Sequence, residues 1–210
     1  MTENVKLGTT TIGLVCKDGV VIASEHRATM GYMIAHKETQ KVFKISDHLA
    51  MTTAGLVGDA QLLVRWLSAE SELFNLKRDA EMSVKAAATL MANILSGRRM
   101  FPYWVQLLVG GVDGDGNHVY SLDAAGGAIP DNYISTGSGS PYVYGVLEDQ
   151  YKEGMSTSDG ADLAIRGLNA AIKRDAASGN GMDIVMITKR GYKQLTKKDI
   201  DDRKKKMGIE

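Results

Sequence analysis

The chain has 210 residues, 44% of them hydrophobic, and its 25 Lys plus Arg balance 25 Asp plus Glu to a formal net charge of zero. That length suits one domain with a sizeable core, and the neutral balance argues against a nucleic-acid surface, which shows as a basic excess. The single cysteine excludes an intrachain disulfide, the polar first eight residues lack a secretory h-region, and no apolar run is long enough to cross a bilayer; the expectation is a cytoplasmic chain without a membrane partner.

The stretch "TTTIGLVCKDGVVIASEHR" predicts two strands joined at Asp18-Gly19, a favoured hairpin dipeptide. A two-residue turn there pairs Lys17 with Val20 and brings Thr9 opposite the Ala28 region, with Glu25 and Arg27 close by. "KVFKI" and "LAMTTAG" read as two further strands. The period then changes. Residues 56–78 predict a helix with Ala60, Leu63, Val64 and Leu67 on one stripe, and residues 83–96 a second, with Gly97 as its C-terminal cap. "WVQLLVGGVDGDGNHVYSLDAAGG" predicts a hairpin about the turn at 113–117. A third helix starts at "GSPYVYGVLEDQY", with Ser140 as N-cap and Pro141 at the first helical position, and a fourth runs over 158–176. "MDIVMITKRGYKQLT" closes as a hairpin, and "KKDIDDRKKK" reads as a solvated tail. Strands, two helices, strands, two helices, strands is not a βαβ rhythm; it points to an α+β fold of antiparallel sheets with helices packed outside.

Most candidate chemistry fails on spacing. Asp113, Asp115 and Asn117 alternate like a calcium loop, but His118 stands at the glycine position and Ala124 at the glutamate position, so a hairpin turn is the better reading. His26, His36, His48 and His118 show neither HExxH nor paired spacing, so no metal site is expected. "GSGSP" lacks the Gly-Lys-Ser/Thr ending of a phosphate loop. Cys16 reads as a buried strand residue.

Thr9, Thr10 and Thr11 remain. Three threonines at a strand head are ordinary β-propensity, and a threonine hydroxyl is a poor nucleophile without a base. An N-terminal threonine carries that base as its own α-amine, whose unperturbed pKa of about 7.7–8.0 leaves a good fraction neutral near pH 7. Chemistry at Thr9 therefore requires a cut between Gly8 and Thr9, and glycine before the cut leaves the hydroxyl room to approach the carbonyl.

"TTTIGLVCKDGVVIASEHRAT", the lysine of "ETQKVFKI", "TTAGLVGDAQ", "YISTGSGSPYVYGVLE" and "IKRDAASGNGMDIVMIT" together resemble the catalytic β-subunit of the 20S proteasome, closest to the archaeal kind. The resemblance implies an N-terminal nucleophile hydrolase, a four-layer αββα sandwich. It makes residues 1–8 a propeptide, removed autocatalytically, and residues 9–210 a single catalytic domain. By resemblance Thr9 is the nucleophile, Lys41 the active-site lysine and Glu25 the acid that orients it. Gly55 gives the oxyanion N–H, and Ser138, Asp175 and Ser178 surround the threonine amine. Ala28, Thr39, Thr53 and Val57 fall where the family lines its specificity pocket, a mix that suits an apolar side chain before the scissile bond. Arg27 falls beside the site. The resemblance further implies seven-membered rings of β-subunits capped by α-subunit rings, a regulatory ATPase, unfolded polypeptide as substrate, and no cofactor. A non-catalytic ring subunit and the bacterial HslV-type peptidase are the rival readings; the complete residue set argues against the first, and the "STGSGSPYVYGVLE" helix entry with the long C-terminal portion against the second.

Overall fold

The central strands are buried on both faces, and this divides the molecule into layers. The computed structural model describes residues 8–209. One sheet contains β1 (Thr10–Cys16), β2 (Gly19–Glu25), β10 (Tyr133–Gly137), β11 (Met182–Thr188) and β12 (Gly191–Gln194), in the order β10-β1-β2-β11-β12. The other contains β5 (Val42–Lys44), β6 (Leu49–Gly55), β7 (Val105–Asp113), β8 (Gly116–Leu122) and β9 (Ala128–Pro130), in that order. All pairings are antiparallel. A small hairpin, β3 (Ala28–Met30) with β4 (Met33–His36), stands apart from both.

Successive strand residues point to opposite faces, and three apolar layers follow. Ile12, Leu14, Val21, Ala23 and Ile184 face helices α3 (Ser140–Gln150) and α4 (Thr157–Arg174). Leu49, Met51, Leu107 and Val109 face α1 (Val57–Arg78) and α2 (Val84–Ser96). Their neighbours Val20, Ile22, Ala50, Leu108, Val112 and Val185 meet between the sheets. Helix, sheet, sheet, helix is the four-layer αββα sandwich of an α+β chain. The sheets approach closely because Gly110 has no side chain: a Cβ there would lie 2.6 Å from Ile22 Cδ1. Small residues do the same for α4, where a Cβ on Gly160 would lie 2.7 Å from Cys16 Sγ. Burial pushes the Cys16 thiol up to about 12, with Asp18 and Asp159 adding to the effect, so it is an inert core residue.

Several expectations change. The first hairpin pairs Cys16 with Gly19, not Lys17 with Val20, so its turn is Lys17-Asp18 and neither residue has a positive φ. Asp18 is drawn elsewhere: its carboxylate accepts the Thr157 N–H at 2.7 Å and the Thr157 hydroxyl at 3.0 Å, tying the turn to the start of α4. Gly139, not Ser140, is the N-cap of α3, which places Pro141 one residue deeper. Ser156, which the sequence reading passed over, caps α4. Gly97 caps α2 in a right-handed rather than a left-handed conformation. The "tail" is a helix, α5 (Lys197–Lys206), begun by a Thr196–Asp199 capping box and docked through buried Ile200 and an Arg203–Asp162 ion pair at 2.6 Å. The hairpin at 113–117 holds: Asp113 pairs with Gly116, and its carboxylate accepts backbone N–H groups of Asp115, Gly116 and Val84. No helix among the described residues is long and apolar enough to cross a membrane.

Replacing Gly110 with Val forces a branched side chain into the packed layer between the sheets. The expected cost is about 1–3 kcal/mol of stability in denaturant unfolding.

Candidate active site

The first residue of the first sheet's end opens the site. Thr9 precedes β1 and is 4% exposed. Its hydroxyl donates to the Gly8 carbonyl oxygen at 2.7 Å, so the oxygen that would attack lies beside the carbonyl it would attack. Only glycine fits at position 8, because a Cβ there would overlap the Ala177 Cβ. Gly8 N–H also donates to Thr29 Oγ1 at 3.4 Å. While Gly8 is attached, the Thr9 nitrogen is an amide and cannot act as a base.

Two groups of side chains converge on Thr9 and Thr10. In the first, Ser138 Oγ accepts the Thr9 N–H at 3.2 Å and donates to Asp175 Oδ2 at 2.6 Å. Ser178 Oγ donates to the same carboxylate oxygen at 2.7 Å and shares a hydrogen bond with the Thr10 hydroxyl at 2.6 Å. Asp175 is the C-cap of α4, and Ser138 lies between β10 and α3. Thr10, read from sequence as a strand residue, is thus also part of the site's frame.

In the second group, Glu25, the last residue of β2, is fully buried. Its Oε1 accepts the Lys41 ammonium and the Thr10 N–H, the latter at 3.2 Å; its Oε2 accepts the Arg27 N–H at 2.6 Å and the Gly179 N–H at 3.0 Å. Lys41 also donates to the Arg27 carbonyl. Burial holds the Lys41 pKa below the ordinary lysine value, against the pull of Glu25. A lysine so placed reaches its neutral form at lower pH than a surface lysine. The Arg27 guanidinium turns outward to Asn180 Oδ1 at 2.8 Å and the Ala176 carbonyl at 2.7 Å, and so clamps the loop that carries Asp175 and Ser178.

Six of the residues taken from the sequence therefore meet: Thr9, Glu25, Lys41, Ser138, Asp175 and Ser178. Gly55 ends β6 with φ +132, and a Cβ there would overlap the Trp104 carbonyl oxygen. It precedes α1, whose N-cap Leu56 has no side-chain hydrogen bond. The Thr53 N–H donates to the Lys41 carbonyl at 3.1 Å, and the Thr39 N–H to the His26 carbonyl at 2.8 Å, so both border the Glu25–Lys41 frame. Ala28 begins β3 and pairs with His36. Val57 begins α1 and is 45% exposed. No described hydrogen bond joins Gly55, Ala28 or Val57 to Thr9. Thr29 and Asn180 also contact the site, through the Gly8 N–H and the Arg27 guanidinium, and carry no local sequence signal.

Residues 5–187 match the family model described as "Proteasome subunit". Among curated relatives, "Proteasome subunit beta" of Methanosarcina thermophila is 56% identical over 198 residues, 94% of each chain. The protein of the same name from Archaeoglobus profundus is 54% identical over 200 residues, 95% of this chain and 93% of its own. That from Thermoplasma acidophilum is 50% identical over 210 residues, 100% of this chain and 99% of its own.

The ion pair is asymmetric, and this can be measured. Removing Glu25 strands a buried ammonium and three backbone N–H groups, whereas removing Lys41 leaves Glu25 those three donors. Glu25→Ala should cost about 3–5 kcal/mol in denaturant unfolding and Lys41→Met clearly less; equal losses would contradict the unequal sharing of contacts.

Proposed function

Because the chain belongs to the proteasome subunit family, as a β-subunit of a proteasome core particle and thus part of a protease, we propose that it is a threonine-type endopeptidase whose nucleophile is Thr9. The observation that carries this reading is the 2.7 Å approach of the Thr9 hydroxyl to the Gly8 carbonyl oxygen, with the Ser138–Asp175 pair on the Thr9 nitrogen. The stretch read as a propeptide, residues 1–8, lies outside the described residues except for Gly8.

Maturation needs one acyl shift. Thr9 Oγ1 bonds to the Gly8 carbonyl carbon, its proton passes to a base, and the Gly8–Thr9 C–N bond breaks with the proton going to the departing nitrogen. That cleavage frees the Thr9 amine; water then hydrolyses the resulting ester, which releases the Gly8 carboxylate and restores the Thr9 hydroxyl. That amine sits against Ser138, whose hydroxyl is oriented by Asp175, so it is held beside its own Oγ1. In peptide hydrolysis the amine takes the hydroxyl proton, directly or through a water. Oγ1 attacks the substrate carbonyl, the Gly55 N–H stabilises the oxyanion, and the leaving peptide amine carries away the proton. A second attack by water releases the acyl group. Lys41 favours the alkoxide and opposes protonation of the amine, and Glu25 fixes its position.

An unenclosed peptidase would endanger its cell, so enclosure is part of the proposal: seven-membered β rings, α-subunit rings, and a regulatory ATPase that feeds unfolded polypeptide in the cytoplasm. Exposed apolar side chains support subunit contacts. Met30, Tyr32 and Met33 on the β3–β4 hairpin are 63%, 104% and 56% exposed, and Met100 and Phe101 before β7 are 88% and 84% exposed.

Intact mass of the assembled particle should show loss of "MTENVKLG"; active particles that keep it would contradict the mechanism. Thr9→Ala should lower peptide hydrolysis about 10⁴-fold or more with assembly intact, and appreciable residual activity would place the nucleophile elsewhere.

A further inference from the structure

The layer between the two sheets changes character toward the site. Its middle is apolar: Val20, Ile22, Ala50, Leu108 and Ile134. Two residues further along the same strand faces stand Ser24, Thr52, Gln106 and Thr136. Thr11 faces Thr136, their hydroxyls 2.6 Å apart. Ser24 Oγ and Thr52 Oγ1 are buried without a hydrogen-bond partner among the described residues. Polar side chains therefore replace most of the apolar packing between the sheets at the end where Thr9 lies, with Val42 opposite Thr52 the apolar exception among these positions.

A direct cross-sheet bond joins the sheets on one side. Gln106 belongs to β7 in the second sheet, opposite Ala54 of β6. Its carboxamide Oε1 accepts the N–H of Gly137, the last residue of β10 in the first sheet, at 3.1 Å. Gly137 has φ +91, and the position a Cβ would occupy is filled by the Thr9 carbonyl oxygen. The next residue is Ser138, which bonds the Thr9 nitrogen and Asp175. The bond from Gln106 thus holds the Thr136–Gly137 peptide, one unit before the peptide that leads into Ser138. At this same end the Lys41–Glu25 ion pair ties the entry of β5 to β2, and a further cross-sheet bond, Asn117 Nδ2 to the Cys16 carbonyl at 2.8 Å, lies at the opposite end of the strands.

We propose that Gln106 is a positioning residue for the reaction: by anchoring Gly137 from the opposing sheet it sets where Ser138 meets the Thr9 nitrogen. This rests on the reading of Thr9 as the nucleophile. The effect should appear in turnover rather than in substrate binding, because Ser138 touches the nucleophile's own nitrogen and small misplacements of catalytic groups are costly.

The test uses assembled particles whose removal of residues 1–8 has been verified by intact mass, so that a processing defect is not read as a catalytic one. Gln106→Met keeps the length and removes the strong acceptor, Gln106→Ala removes both, and Gln106→Glu keeps an acceptor oxygen. The expected result is a fall in kcat of about tenfold for Met and Ala with KM within twofold, and at least half the parent kcat for Glu, at unchanged melting temperature. A Met variant with parental kcat, or a Glu variant as slow as Met, would overturn the proposal. Thr9→Ala is run beside them: hydrolysis surviving there would refute the nucleophile assignment, whereas loss there with parental Gln106→Met kinetics would refute only the role of Gln106.

Discussion

A fully buried carboxylate organises this molecule around Thr9. Glu25 has no access to water, and an ionised carboxylate in such a place is tolerable only if its oxygens are satisfied. They accept one ammonium and three backbone N–H groups, and each donor comes from a different stretch of chain. Thr10 belongs to β1, Arg27 to the exit of β2, Gly179 to the loop after α4, and Lys41 to the entry of β5. Meeting this one electrostatic demand brings together Thr10 (next to the proposed nucleophile), Lys41, and the loop that carries Asp175 and Ser178. The same contacts explain why Lys41 remains buried although burial lowers its pKa.

The sandwich provides the rigid frame for that demand. Alternating side chains fill three apolar layers, and close approach at Gly110 and Gly160 lets the layers pack tightly. The residues of the proposed site and its frame then sit at strand ends, where the packing stops and polar side chains take over. Thr9, Glu25, Gly55 and Gly137 each stand at or beside such an end.

Much of this was legible because the information is local. Strand-like runs beside turn residues marked β6, β7 and β11, helical spacing marked α1, α2 and α4, and Gly8-Thr9 with Glu25 and Lys41 carried the resemblance. What was not legible depends on partners distant in sequence. Asp18 and Gly19 looked like a primed turn, but the N-terminus of α4 claims the Asp18 side chain and shifts the hairpin register by two residues along the pair. The charges of Lys197–Lys206 hid a helix that docks through Ile200. Gln106 is 31 residues from Gly137, and nothing near it in the chain announces that contact.

The central claim is that Thr9, freed from Gly8, is the atom source of catalysis. The most direct measurement is covalent trapping of active particles with a peptide β-lactone, followed by tandem mass spectrometry of the modified chain. The account predicts one acyl adduct per active chain, on the side chain of Thr9 as the first residue, with activity lost in proportion. An adduct on Cys16, on Ser138 or on Ser178, or inhibition with Thr9 unmodified, would contradict it.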